Sequence, residues 1–300
     1  MASGIWPSVS GAVAQSQAVD MVANNLANTD TVGFKKDAPT FKEYLAVVER
    51  EPDGVQVPHG LITNRDLYPT DGRDQAFVVV DGTYTNFRPG TLKVTHSPLD
   101  IAIDGPGFFE VGTPSGVRYT RQGSFKLAMD GRLVTPQGYP VLTSNQGGLA
   151  PAQPNTAVQP SQGGPPTQGG VTAEQNTQAD ITARTINLRD LGNKVTINND
   201  GQIYAGDRLV ATLSVAEFKD PKKLMKLGAQ LFHSNDAQNL INEPIKKSRV
   251  LQGVLENSNV NPIEEMTNLI KANRLFEHDL KSIKSYNDLL GKEANEVGKL

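Results

Sequence analysis

Few residues in this chain have the type and spacing for chemistry. Four histidines stand at His59, His96, His233 and His278. A metal pair needs a partner at helical spacing, as in H-x-x-x-H, or a carboxylate cluster nearby, and none of the four has one. Asp100 and Asp104 could be imagined as paired carboxylates for a glycan-processing reaction. They flank a short strand that enters the turn Gly105-Pro106-Gly107, so solvent exposure and turn capping explain them more simply. That Gly-Pro-Gly also resembles the start of a dinucleotide loop. It lacks the third glycine, and a strand follows where a helix is required. Asn198-Asn199-Asp200-Gly201 offers oxygen ligands, but the rest of a calcium loop is missing and a hairpin turn fits better. There is no Gly-x-Ser-x-Gly and no phosphate loop. Cysteine is absent, which removes disulfides, thiolate metal sites and thiol nucleophiles together. No catalytic, cofactor-binding or metal-ligating residue is assigned, and no cofactor is expected. The chain reads as a structural subunit and not an enzyme.

Composition agrees with that reading. The 300 residues are 37% hydrophobic and 20% charged, with a net charge of −3. This is long enough for one to three domains with a real core. No basic surplus exists to hold a phosphate backbone, so nucleic acid is not an expected partner. The pairs Lys35-Lys36, Lys222-Lys223 and Lys246-Lys247 read as solvated surface. No apolar run approaches the ~18 residues of a spanning helix, so direct membrane insertion is not expected. The first basic residue is Lys35, so the chain has no basic signal-peptide start. The expectation is a cytoplasmic protein, or one exported without a cleaved signal.

The elements that position these residues separate by pattern. Residues 1–34 form a helical assembly segment. Ile5, Val9, Ala12, Ser16, Val19, Ala23 and Leu26 recur at 4,3 spacing, the mark of one helical stripe. Asp20 is the only charge before residue 29. Pro7 suits a first turn. Asn28-Thr29-Asp30 then breaks the pattern, and Gly33 supplies a position free to take positive φ. Residues 35–75 are read as an extended connecting segment. Within it, Phe34 to Val48 can hold a short helix with Phe41, Leu45 and Val48 on one side.

Residues 76–144 and 181–245 read as a central antiparallel β-domain. Short strands from Phe77–Val80 to Tyr139–Leu142 are punctuated by turn signals such as Pro89-Gly90 and Asp130-Gly131. Strands at Ile181–Leu188, Val195–Asn198, Gln202–Ala205 and Leu209–Phe218 follow. Asp220-Pro221 looks like the cap and first residue of a short helix through Leu231. Residues 145–180, rich in Gln, Gly, Pro and Thr, read as a low-complexity, flexible insertion.

Residues 246–300 hold the clearest element. Asn261 is a natural N-cap, Pro262 follows at the first helical position, and Glu264 stands where it can reach back to the cap. Glu265 adds negative charge at the positive end of the dipole. Met266, Leu269, Asn273, Phe276, Leu280, Ile283, Asn287, Leu290, Ala294 and Val297 recur at 3,4 spacing. Polar Asn273 and Asn287 inside such a seam are expected to fix register. The expected fold class is α+β: a discontinuous, coiled-coil-like domain of N- and C-terminal helices, plus a central all-β domain. A helix with almost no charged face is normally surrounded. The expected partners are therefore other copies of the same chain.

Several long motifs resemble one family. Ala23-Asn24-Asn25-Leu26-Ala27-Asn28 with Thr31-Val32-Gly33-Phe34-Lys35 resembles the N-terminal signature of bacterial flagellar rod and hook proteins. Ser97 to Phe109, Tyr119 to Phe125, Asp130 to Thr135 and Gly138 to Leu142 resemble the central motifs of that family. Gly253 to Val260, with Asn257, Ser258 and Asn259, resembles its C-terminal signature. The resemblance implies an axial subunit of the flagellar basal body whose terminal helices polymerise around a central export channel. It implies neighbouring rod proteins and the flagellar type III export apparatus as partners. Residues Phe77 to Asp81 and Phe87 to Leu92 look most like the proximal rod type, with the distal rod or hook type second. A secreted adhesin or fibre module with coiled-coil ends is the reading from another class.

Overall fold

The computed structural model describes residues 5–46, 55–57, 60–62, 75–144, 180–189, 195–241 and 247–297. The chain divides into two compact units. The first comprises Met1–Ala27, Asp37–Thr85 and Asn261–Leu300, and the second Asn28–Lys36 and Asn86–Val260. The class is α+β, with terminal helices and a central antiparallel domain.

In the first unit, helix α1 spans Ile5–Ala27 and helix α2 spans Pro262–Val297. The cap of α2 is Asn261, whose side-chain oxygen accepts the Ile263 N–H at 3.1 Å. This satisfies one of the orphan donors of the first turn. An antiparallel ribbon of Asp37–Ala46 and Gln75–Thr85 completes the unit, and α1 packs on it as well as on α2.

This ribbon corrects two expectations. The stretch from Phe34 is not helical: Asp37–Ala46 is a strand. Pro39 is the physical reason, because inside a helix its ring would clash with the preceding turn and remove a hydrogen bond. An outer strand tolerates it, and here it stands opposite Thr83. Val48 lies outside the described residues. The strand containing Phe77–Val80 pairs with Asp37–Ala46 in the helical unit, so the β-domain begins at Asn86 and not at residue 76.

The second unit is built on a six-stranded antiparallel sheet. Its order is Leu224–Gly228, Leu231–Ser234, Gly116–Thr120, Phe108–Thr113, Val215–Phe218, Leu240–Ile241. Phe108 and Phe109, adjacent in one strand, point to opposite faces as the pleat demands. Each joins a different core. Phe109 packs with Ile101, Val111, Phe125 and Leu213, whereas Phe108 clusters with Leu224 and meets the rings of Phe218 and Phe232 edge to face. Two further ladders, Arg249–Gln252 on Ile101–Asp104 and Val254–Glu256 on Leu92–Val94, carry the chain towards Val260.

Three sequence expectations change in this unit. Asp220 does cap at Pro221, accepting the Lys222 N–H at 3.0 Å. Only a single 3-10 turn follows, and Leu224–Gly228 and Leu231–Ser234 form a hairpin instead of a helix. Ala229 and Gln230, both at positive φ, make its turn. Ile181–Leu188 is a helical turn at 180–183 followed by isolated bridges. Leu209–Phe218 is two strands, Arg208–Thr212 and Val215–Phe218. Asn198–Gly201 is the hairpin turn expected, with the Asn198 carboxamide oxygen accepting the Asp200 and Gln202 N–H groups. The insertion at 145–180 falls outside the described residues except for Asp180.

Candidate assembly site

The two helices run antiparallel. Asn25 Nδ2 reaches Glu265 Oε2 at 3.5 Å, and a Cβ placed on Gly11 would lie 3.4 Å from the Asp279 carboxylate. Residues 11 and 25 are two heptads apart, and so are 265 and 279, so one register holds along the pair. Ala12, Ala14, Ala18 and Asn25 are the buried positions of α1. Small side chains there let the partner backbone come close. Asn25 is 1% exposed and binds the backbone of Asp37 in both directions. It donates to the Asp37 carbonyl at 2.7 Å and accepts the Asp37 N–H at 3.0 Å. That pairing explains an asparagine in the last turn of a helix: it ties the turn to the first strand.

The structure shifts the phase of both expected seams by one residue. On α1, Ala14 and Ala18 are buried, Val19 and Leu26 are half-buried, and Ser16, Ala23 and Asn24 are exposed. On α2, Leu269, Phe276, Ile283 and Leu290 are half-buried and lie on the packed side. The other half of the expected seam does not. Met266, Asn273, Leu280 and Asn287 are exposed, and Glu265, Ala272, Asp279 and Tyr286 take the inner positions. Asn273 and Asn287 therefore cannot set register within this pair. The side chains of Ala294 and Val297 lie outside the described residues. The exposed set includes large apolar groups: Ile263, Met266, Ile270 and Leu280 on α2, and Trp6 and Val13 on α1.

The second unit gathers the remaining motif residues into a buried clamp. Lys35, read from sequence as solvated surface, is 0% exposed. Its ammonium donates to Glu256 Oε1 at 2.5 Å and to the Arg88 carbonyl at 3.0 Å. Glu256 Oε1 also accepts the Gly90 N–H at 2.9 Å, and Oε2 stands 3.4 Å from Arg121 Nη1. Arg121 donates to the Gly105 carbonyl and lies over the Phe108 ring. Burial pulls the Lys35 ammonium below the ordinary lysine range, against the opposing pull of Glu256. Burial also lowers Arg121, which nevertheless stays charged. The clamp thus holds two cations on one carboxylate. One of two adjacent lysines gives no sign of burial; its charge partner Glu256 is more than 200 positions away.

The other motif residues surround this triad. Gly33, at φ 70°, donates its N–H to the Glu256 carbonyl. A Cβ there would lie 2.5 Å from the Arg121 backbone, so only glycine fits. Phe34 is buried beneath the Lys226 ammonium, 3.9 Å from the ring centroid. Asn28 accepts the Thr31 hydroxyl proton. Asn259 accepts the Lys36 N–H at 2.8 Å and donates to the Asn86 and Arg88 carbonyls. Asn257 bonds Thr91 through its backbone N–H, and the Ser258 hydroxyl accepts the Val260 N–H. The Gly33, Asn257, Ser258 and Asn259 bonds all hold backbone groups.

Among the described residues, no three or more His, Cys, Asp or Glu side chains converge as metal ligands do. No described helix is long and apolar enough to cross a membrane. His233 lies against Arg118, and burial together with that cation lowers its pKa. His59 is outside the described residues.

Comparison with known proteins gives three family matches in chain order. Residues 8–35 match the family described as "Flagella basal body rod protein". Residues 102–205 match "Flagellar hook protein FlgE/F/G D1 domain", and residues 251–297 match "Flagellar basal body rod FlgEFG protein C-terminal". Among similar relatives, a flagellar basal-body rod protein FlgG of Caulobacter vibrioides is 31% identical over 288 residues, 94% of each chain. A FlgG of Borreliella burgdorferi is 29% identical over 97% of each chain. A FlgF of Caulobacter vibrioides is 27% identical over the full length of both.

Proposed function

This chain belongs to the family of flagellar basal-body rod proteins and is a structural subunit of the rod, and on that premise we propose that it polymerises through α1 and α2. The observation that carries this reading is the outer face of the helix pair. Ile263, Met266, Ile270 and Leu280 form an exposed stripe on α2. α2 also has 36 residues against 23 in α1. A pair this unequal, apolar on its outer face, is suited to neighbouring copies and to other rod proteins. In the assembled rod the terminal helices would line the export channel. The subunit would transmit torque across the periplasm and perform no catalysis. It would leave the cell through the flagellar type III apparatus without a cleaved signal.

Sedimentation and circular dichroism test the central claim together. Dilute monomer should show fraying helices and gain helicity as it polymerises. Full helicity in a strict monomer at micromolar concentration, with no polymer on concentration, overturns it. The motifs around Phe77–Asp81 and Phe87–Leu92 support the proximal position. Imaging basal bodies from a deletion strain tests that: loss of the rod from its base is expected, and loss of its outer part alone would assign the distal position.

A further inference from the structure

We infer that residues 31–36 are a releasable strap, held by Lys35 on Glu256, and that Arg121 stands ready to take over the carboxylate when the strap leaves. Segment 28–36 contributes no strand to any sheet, yet it is buried at Gly33, Phe34 and Lys35. Its attachment is a short list of separate bonds. The Glu256 carbonyl accepts the Gly33 N–H, the Asn259 side chain accepts the Lys36 N–H, and Lys226 donates to the Lys35 carbonyl at 3.1 Å. The Phe34 and Lys36 carbonyls accept the Asn259 and Asn86 N–H groups at 3.4 and 2.8 Å. A ladder would resist opening cooperatively; these contacts can let go as one small group.

The triad is balanced for that release. With Lys35 in place, Arg121 holds Glu256 only at 3.4 Å. Among the described residues, the Arg121 Nε–H is buried with no hydrogen-bond partner. A guanidinium prefers a two-bond fork on a carboxylate, and here the lysine takes the near oxygen. If Lys35 leaves, Glu256 is not stranded. Its carboxylate can turn to the fork of Arg121, and the Gly90 N–H is anchored in the same unit. Removing one partner of a buried pair normally leaves an uncompensated charge; the second cation cancels most of that penalty. Once free, the segment is a loop whose two ends stay together, because Asn25 at the end of α1 holds the Asp37 backbone at 2.7 and 3.0 Å. The device is a loop that can be docked or released.

Hydrogen exchange followed by mass spectrometry on the full chain reads this directly. Lys35→Met should raise exchange at residues 31–36 at least about tenfold, while Phe108–Thr113 and Gly116–Thr120 keep their protection. The second arm repeats Lys35→Met in an Arg121→Lys background, which keeps the charge and removes the fork. There the same substitution should shift the unfolding equilibrium of the whole unit about tenfold further than in wild type. Equal loss of protection throughout the unit, no change at 31–36, or strict additivity of the two substitutions each overturns the inference.

Discussion

Glu256→Ala is the sharpest perturbation of the clamp. It removes the carboxylate that pairs with two buried cations, whose side chains are 0% and 2% exposed. Breaking a buried pair from one side costs about 3–5 kcal/mol, because the remaining charge stays in a poorly solvating site. The unit that contains it has roughly 180 residues, a size at which each kcal/mol moves Tm by about 2–4 °C. The expected fall in Tm is therefore about 6–20 °C, read by differential scanning calorimetry at pH 7. The deficit should also depend on pH. Without Glu256 the Lys35 pKa falls further below its ordinary 10.5. Above that lowered value the unfolded chain binds a proton that the folded one does not, so stability rises with pH there. The variant should recover relative to wild type between its own lowered Lys35 pKa and the higher wild-type one. An Asp130→Asn control at an exposed pair, 45% exposed on both sides, should leave Tm unmoved. A Glu256→Ala variant within 2 °C of wild type, or a deficit that grows with pH over that range, would refute the reasoning.

Three further outcomes follow from the geometry. Asn25→Ala should cost the helical unit about 1–3 kcal/mol in thermal denaturation, since both backbone groups of Asp37 lose a buried partner. Tyr119 is pushed up to about 12, first by burial and then by Glu110; stability should fall as pH rises from about 10 to about 12, by at most ~2.7 kcal/mol, and Tyr119→Phe should flatten that limb in urea titrations. Gly90→Ala would place a Cβ 1.9 Å from the Asn257 carbonyl oxygen and should destabilise by about 1–3 kcal/mol, whereas Gly291→Ala, in open space on α2, should stabilise by about 0.5–1 kcal/mol.

The sequence is legible where structure is local. Asn261-Pro262 announces the start of α2 because capping depends on adjacent residues. Turn signals such as Asn198–Gly201 are right for the same reason. Local signals fail where distant partners decide. Asp37–Ala46 carries a periodicity a helix could use, but Pro39 and the pairing run Gln75–Thr85 settle it as a strand. Asp220-Pro221 starts a helical turn correctly, and the hairpin that follows is fixed by burial of Leu224 and Phe232. Lys35 is the extreme case. Nothing within twenty residues reveals that Arg88, Arg121 and Glu256 will enclose it.

The one-residue error in the α2 seam has the same origin and a functional consequence. Leu269, Phe276, Ile283 and Leu290 satisfy two heptad readings at once. Combined with Glu265, Ala272, Asp279 and Tyr286, they describe the stripe packed against α1. Combined with Met266, Asn273, Leu280 and Asn287, they describe a stripe centred further round the helix, since each residue advances about 100°. The sequence shows only the sum, and the more apolar set dominates it. The structure separates them: the inner set brings Glu265 to the Asn25 carboxamide and Asp279 to Gly11, and the outer set leaves Met266 and Leu280 exposed beside Asn273 and Asn287. A helix evolved only to pair with α1 would place its larger side chains inward, where burial stabilises most. Placing Met266 and Leu280 outward costs the monomer solubility and contributes nothing to its own core. That distribution is the one expected if a neighbouring subunit covers the outer stripe, with Asn273 and Asn287 then inside a seam between chains. Replacing both with Leu should accordingly leave the monomer's Tm nearly unchanged and alter the order of the polymer.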